Sequence, residues 1–117
     1  MALTIQTKSI DGVCVLVPEG RIVIGNEVTI LREKIRELLE AGHKDFLVNL
    51  ANVTYMDSTG VGALVGSFVT IRNRGGQMKL SNLSQRTRDL LLVTKLHTVF
   101  DVLDNEADGI KSFAAKG

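Results

Sequence analysis

Three consecutive side chains in the middle of the sequence, Asp57, Ser58 and Thr59, have the types and spacing to support phosphoryl chemistry. They stand where a short apolar strand ends in a hydroxyl-rich turn, and each is a good helix N-cap. Apolar residues then recur at helical spacing from Val61 onward. Because unpaired backbone N–H groups and the positive end of the helix dipole meet at a helix N-terminus, added negative charge is stabilised there. Ser58 is therefore a candidate phosphate acceptor.

The same three residues also have simpler interpretations. A serine at a helix start is most often only an N-cap, but Asp57 can already fill that role and leaves Ser58 and Thr59 surplus to it. Thr59 is the next candidate acceptor, with packing or a second cap as its alternative. Asp57 has no histidine, cysteine or second carboxylate near it in the sequence with which to catalyse a reaction. We interpret Asp57 as a cap that also orients the Ser58 hydroxyl.

Other reactive or ligand-binding patterns are missing from the sequence. His43 and His97 are not at metal-ligand spacing, and neither a CxxC pair nor a glycine-rich phosphate loop is present. A receiver domain needs paired acids after its first strand to hold magnesium, whereas Asp11 stands alone there. Arg86 and Arg88 fit a solvated helix face. The sequence therefore predicts no catalytic residue, no metal site and no tightly held cofactor.

Composition excludes several classes of protein. The 117 residues suit a single domain, residues 1–117, and the net charge of +1 comes from interspersed basic and acidic residues rather than from a basic patch. With no tryptophan and one tyrosine, the chain lacks a platform on which bases could stack. No stretch approaches the ~20 apolar residues of a membrane span. The single cysteine, Cys14, lies in an apolar run and suits a reducing compartment. We expect a soluble, cytoplasmic protein that binds no nucleic acid and inserts into no membrane.

Hydrophobic periodicity predicts an α/β fold with the element order β-β-α-β-α-β-α-β-α. The predicted strands cover residues 3–9, 13–17, 46–50, 77–80 and 99–102. The predicted helices begin at the caps Asn26, Asp57 and Ser84 and near Asn105, and they end near Gly42, Gly75, Leu92 and Ala115. The first two strands form a hairpin around Asp11-Gly12, and Pro18 and Gly20 end the second strand. The expected sheet is mixed, and it is parallel after the opening hairpin.

The second predicted helix has two different faces. Its apolar stripe consists of Val61, Leu64, Val65, Phe68 and Ile71. The opposite side consists almost wholly of small residues: Ser58, Thr59, Gly62, Ala63, Gly66 and Thr70. Each glycine in a helix interior costs roughly 0.5–1 kcal/mol relative to alanine, so a solvated face has no evident reason to keep two of them. Two interpretations remain open, namely close packing of a neighbouring helix and a flat surface through which a partner reaches Ser58.

The run around Asp57-Ser58-Thr59-Gly60 resembles the central motif of STAS domains, specifically the stand-alone bacterial anti-sigma factor antagonists. The likeness covers nearly the whole chain, and the matching segments are residues 19–22, 46–62, 75–80 and 100–102. Two positions depart from many relatives, which carry an aspartate where this chain has Asn49 and an acidic residue in the loop that here reads Val23-Ile24-Gly25. That loop resembles part of the family's binding surface.

The resemblance implies a STAS fold, a mixed and mostly parallel sheet with an N-terminal hairpin and about four α-helices. It also implies a protein-binding module rather than an enzyme. In the family, the serine after the aspartate, here Ser58, is phosphorylated by a partner that is both anti-sigma factor and serine kinase, and a phosphoserine phosphatase resets it. The implied partner-binding residues are Asp57, Ser58, Thr59, Gly60, Gly62, Ala63, Gly66, Arg21 and Ile22. The alternative is a STAS scaffold of a sensory complex, or an accessory subunit of a transport or lipid-trafficking system.

Overall fold

The computed structural model describes residues 3–114, and these residues form a mixed α/β structure. The strands are β1 (Thr4–Ile10), β2 (Val13–Ile22), β3 (Asp45–Asn49), β4 (Val53–Met56), β5 (Gln77–Ser81) and β6 (Val102–Leu103). The α-helices are α1 (Asn26–Glu40), α2 (Ser58–Asn73), α3 (Gln85–Val93) and α4 (Glu106–Ala114). The predicted fold class, a mostly parallel mixed sheet with an N-terminal hairpin and four helices, is confirmed.

The sheet has the strand order β1-β2-β3-β5-β6, and β4 pairs with β2 beside β3. Only the β1–β2 pair is antiparallel, and the other ladders are parallel. Asp11 and Gly12 join β1 to β2 with positive φ angles of 53° and 81°, which matches the two-residue turn favoured by twisted hairpins. The predicted hairpin is therefore confirmed at both its strands and its turn.

The second strand is longer than predicted, because Pro18 does not end it. Hydrogen-bonded and non-hydrogen-bonded pairs alternate from the Ile10–Val13 pair outward, so Ile5–Pro18 is a non-hydrogen-bonded pair. The side of Pro18 that lacks an N–H therefore faces away from β1, between the residues paired with β3 and those paired with β4. No ladder bond is lost there, and β2 continues to Ile22.

Two other features differ from the predicted order. Two strands, β3 and β4, lie between α1 and α2 where the order allowed one. The last strand, predicted over residues 99–102, shrinks to the two residues of β6, after a 3-10 turn at Leu96–Thr98. Phe100 is buried in the core instead of pairing in a strand, and its ring meets Phe68 edge-to-face at 5.5 Å between centroids. The apolar residue at position 100, which predicted a strand, therefore serves the packing of the core.

Helix boundaries agree closely with the sequence, apart from one cap. Ser84 caps α3 by accepting a hydrogen bond from the Thr87 N–H, as predicted. Asn26 does not cap α1, because it is the first helical residue and Gly25, with φ 115°, occupies the cap position without a side-chain bond. The last helix starts at Glu106, after Asn105 has accepted a hydrogen bond from the Asp108 N–H. Its predicted end at Ala115 lies outside the described residues.

The core is divided by the sheet. The larger cluster lies on the face covered by α1, α2 and α3, and it includes Val28, Leu31, Ile35 and Leu39 of α1, with Leu38 partly buried against it. Cys14 belongs to this cluster, where burial raises the pKa of its thiol, so the residue serves as a small hydrophobe. On the opposite face α4 packs on the sheet, and that smaller cluster contains Val13, Val15, Leu47 and Phe113.

A polar cluster fastens the start of α4 to the sheet. Glu106 lies 2.9 Å from the Lys8 ammonium of β1 and accepts a 3.0 Å hydrogen bond from the Asn49 side-chain amide of β3. The bond from Lys8 is the main reason that the pKa of Glu106 is lowered, and the Asn49 bond adds to the effect. An amide at position 49 donates to this carboxylate, whereas a second carboxylate there would repel it.

We expect Glu106→Gln to make folding less sensitive to acid. Since the folded-state pKa of Glu106 is lowered, its stabilising contribution is present above the unfolded-state pKa of about 4.5 and is lost as the pH falls through the folded value. Urea unfolding should show Glu106→Gln to be less stable by about 1 kcal/mol at pH 7. The difference should shrink toward pH 3. A gap that stays constant between the two pH values would contradict this account.

Candidate functional site

The site is built around Asp57, which directly follows β4 and caps α2. Its carboxylate accepts hydrogen bonds from the backbone N–H of Gly60 at 2.9 Å and of Ile24 at 3.4 Å. Its own N–H donates to the carbonyl of Ile22 at 3.4 Å. Asp57 therefore joins the β2–α1 loop to the first turn of α2. The predicted cap is confirmed, whereas within residues 3–114 the carboxylate shows no bond to the Ser58 hydroxyl.

Ser58 is the first residue of α2, and its side chain is exposed. Thr59 beside it is exposed as well. Because the backbone N–H groups of a first helical turn lack intrahelical partners, negative charge added at Ser58 would lie at the positive end of the α2 dipole. The structure therefore places both candidate acceptors where a second protein can reach them.

Gly60 explains how the first turn of α2 can lie so close to β2. A Cβ atom built on Gly60 would overlap the Ile22 carbonyl and come within 2.7 Å of the Met56 side chain. No other residue type fits this space without a shift of the backbone. Gly60 is therefore a packing residue that sets the position of Ser58, and it is itself buried.

The exposed face of α2 contains two glycines with open space before them. A Cβ atom at Gly62 or at Gly66 would meet nothing within 4 Å. The packing of a neighbouring helix across these glycines, one of the two interpretations left open, is therefore wrong. Arg32 and Arg36 of α1 line one side of an open groove at Gly66, but they do not cover it. The second interpretation, a flat and accessible surface, remains.

The structure divides the predicted partner-binding residues into two groups. Those with surface side chains or an open backbone face are Arg21, Asp57, Ser58, Thr59, Gly62 and Gly66. The other three, Ile22, Gly60 and Ala63, are buried. Ala63 was expected on the small-residue face, but it and Ser67 turn inward with Leu64 and Ile71. The prediction that these three residues contact a partner through their side chains is wrong, because they are buried in the folded chain.

Apolar and charged residues surround Ser58. An open depression of about 470 Å³ is lined by Tyr55, Met56, Asp57, Ser58, Arg86, Asp89, Leu90 and Val93. Val93 is 81% exposed and Tyr55 38% exposed, and Ile24 on the adjoining loop is 73% exposed. Met56, by contrast, is buried. Large apolar side chains that are exposed together on one surface are typical of a protein-docking site.

The sequence of the chain matches a known protein family. The family model described as STAS domain matches residues 4–109. The chain belongs to the STAS domain family. This STAS domain is 40% identical over 82 residues to the anti-sigma-B factor antagonist of Bacillus subtilis (strain 168), covering 70% of this chain and 74% of that protein. It is 30% identical over 86 residues to the anti-sigma-B factor antagonist of Staphylococcus aureus (strain NCTC 8325 / PS 47), covering 69% and 80%.

Solved structures share the fold of this STAS domain. A putative anti-sigma factor antagonist from Thermotoga maritima superposes with a TM-score of 0.85, at 20% identity and 92% coverage of both chains. The Bacillus cell fate determinant SpoIIAA, in its phosphorylated form, superposes with a TM-score of 0.74, at 22% identity, covering 94% of this chain and 99% of that one. These likenesses establish the fold.

One residue beside Ser58 was not connected with it by the sequence analysis. Arg86 is exposed, as predicted for a solvated helix face, and its guanidinium also lies 5.1 Å from the Tyr55 ring centroid and lines the depression that contains Ser58. Ser58 and Arg86 come together through the chain connection by way of β5, and no local sequence pattern links the two positions.

Within residues 3–114, no three metal-ligating side chains cluster and no helix could cross a bilayer.

Proposed function

We propose that this STAS domain is an anti-sigma factor antagonist that is switched off by phosphorylation of Ser58. Unmodified, it binds an anti-sigma factor that is also a serine kinase, and the sigma factor is thereby released. The observation that carries the proposal is an exposed serine at the first position of a capped helix, within an apolar and accessible surface. The relatives named anti-sigma-B factor antagonist support the same role.

The docking surface in this proposal, here called the α2 surface, comprises Arg21, Asp57, Ser58, Thr59, Gly62 and Gly66. The two glycines allow the backbone of a partner to approach α2 closely, because no side chain projects from them. Ile24, Tyr55 and Val93 border this surface and supply apolar area for burial. A partner that covers the α2 surface necessarily covers the Ser58 hydroxyl.

The chain acts in this proposal as a substrate and a binding module rather than as an enzyme. The Ser58 oxygen attacks the γ-phosphorus of ATP held by the kinase; a new O–P bond forms while the bond to ADP breaks. The serine proton leaves to a base of the kinase. A phosphoserine phosphatase later hydrolyses the new bond and restores the hydroxyl. Since these partners regulate transcription, the proposed location is the cytoplasm.

Phosphorylation would weaken the complex through the interface and not through the fold. A phosphoserine carries roughly −1.5 to −2 charge at pH 7, which a close-packed contact can neither hydrate nor readily neutralise. In the free protein the same charge lies at the N-terminus of α2, where the helix dipole favours it. The phosphorylated chain is therefore more stable apart from its partner than within the complex.

Incubation with the cognate kinase and ATP tests the assignment of the acceptor. We expect one phosphate per chain, mapped by mass spectrometry of peptides to Ser58. Ser58→Ala should remain unmodified, whereas Thr59→Ala, the matched control at the neighbouring exposed hydroxyl, should be modified normally. Phosphate found only on Thr59 would refute the assignment, and a chain that is not modified by its kinase would favour the scaffold function.

A further inference from the structure

Arg86 lies in the wall of the depression that contains Ser58. It is the second residue of α3, and its guanidinium lies over the Tyr55 ring, 5.1 Å from the centroid. Such stacking holds a long side chain in place at little cost to its hydrogen-bonding capacity, because the planar group keeps its N–H donors at its edge. Tyr55 belongs to β4, which leads through Asp57 directly to Ser58. The guanidinium is thereby tied to the segment that carries the acceptor.

The neighbouring charges leave Arg86 available for an anion. Among residues 3–114 the structure records no ion pair for Arg86, whereas Arg88 of the same helix lies 3.7 Å from Asp104. Asp89, which lines the same depression, accepts a 2.8 Å hydrogen bond from the Gln85 amide. Asp57 is occupied by two backbone N–H groups. Asp57 and Asp89 also line the depression, but among residues 3–114 neither carboxylate forms an ion pair with Arg86.

We propose that Arg86 binds the phosphate of phosphorylated Ser58 within the same chain. The inference rests on the proposed function, since it requires Ser58 to carry a phosphate. A guanidinium presents a fork of N–H donors that matches two oxygens of a phosphate, and such charge-assisted pairs are among the strong hydrogen bonds of proteins. Arg86 is thus a positioning residue. It holds the phosphate against α3, so that the phosphorylated chain has one defined arrangement of charges around Ser58.

Several groups bear on the second ionisation of this phosphate. The N–H groups at the start of α2 and the Arg86 guanidinium favour the dianion, whereas Asp57 and Asp89 disfavour it. Removing Arg86 leaves the two carboxylates and the helix terminus unchanged. The pKa of the phosphate, ordinarily about 6, should therefore rise when Arg86 is replaced.

Phosphoserine placed at position 58 by genetic code expansion tests the contact without any kinase. The pKa of the phosphate is followed in the full-length chain by ³¹P NMR from pH 4 to 9. We expect Arg86→Met to raise that pKa by about one unit, the smaller end of the shift that a directly contacting opposite charge produces. Arg86→Lys should give an intermediate value, because it keeps the charge but loses the fork. Arg88→Met, on the same helix but paired elsewhere, should leave the pKa unchanged.

A second readout separates positioning from mere proximity of charge. Phosphorylation should raise the melting temperature of the unaltered chain more than that of Arg86→Met. An unchanged pKa in Arg86→Met, or an equal rise in Arg88→Met, would overturn the proposal. Because Arg86 is exposed, its replacement does not threaten the fold. Failure of a kinase to modify Ser58 would defeat the proposed function while leaving this measurement intact, so the two failures are distinguishable.

Discussion

Ser58→Asp should bind the kinase at least about tenfold more weakly than Ser58→Ala, a difference of about 1.4 kcal/mol in binding free energy. Both variants should fold, because Ser58 is exposed and a carboxylate at a helix N-terminus stabilises the helix by roughly 0.3–1 kcal/mol. The loss must then arise in the interface, where the added charge is desolvated. Titration calorimetry on the purified kinase measures both affinities.

Thr59→Asp is the matched control for this comparison. It adds the same charge one residue further along the first turn of α2, and the side chain there is also exposed. If position 58 is the one that lies against the nucleotide of the kinase, Thr59→Asp should weaken binding less than Ser58→Asp. Equal affinities of Ser58→Ala and Ser58→Asp would eliminate the switch.

Gly66→Arg should abolish kinase binding without unfolding the chain. A Cβ atom at Gly66 meets nothing within 4 Å and faces an open groove, and replacing a helical glycine removes a conformational penalty of roughly 0.5–1 kcal/mol. The melting temperature should be retained or raised. A partner seated on the α2 surface cannot accommodate the arginine, and we expect a loss of at least about a hundredfold, some 2.8 kcal/mol.

Two controls test whether the loss of binding requires a large side chain and whether it requires position 66. Gly66→Ala adds only a methyl group and should bind normally while stabilising the helix. Thr4→Arg adds the same charge on the edge strand β1, an exposed position on another element, and should also bind normally. A Gly66→Arg variant that is folded and binds as well as the unaltered chain would show that the partner docks elsewhere.

Local signals predicted most of the fold. The Asp11-Gly12 turn and the caps Asp57 and Ser84 are each decided within a few residues, so the sequence predicted them correctly. Apart from the cap predicted at Asn26, the errors occur where distant segments decide. The second strand passes Pro18 because β2 changes its partner from β3 to β4 at that point, and no local pattern reports the change.

The candidate site was predicted to a similar extent. Ser58 and Asp57 were found because a cap and an acceptor are properties of one short segment. A helical projection placed Ala63 with the glycines, but its side chain is buried in the larger core cluster. Gly60 was assigned to the interface although its missing Cβ accommodates the Ile22 carbonyl. Arg86 was not found, because the contact with Tyr55 depends on how α3 packs after β5.

Release of a sigma factor tests the account most directly. The purified chain is added to a preformed complex of the cognate sigma factor and its anti-sigma kinase, and free sigma factor is measured by its binding to core RNA polymerase. We predict release by the unmodified chain and by Ser58→Ala, and no release by the chain that carries phosphoserine at position 58. Equal release by the phosphorylated and unmodified chains, or none by either, would contradict the account.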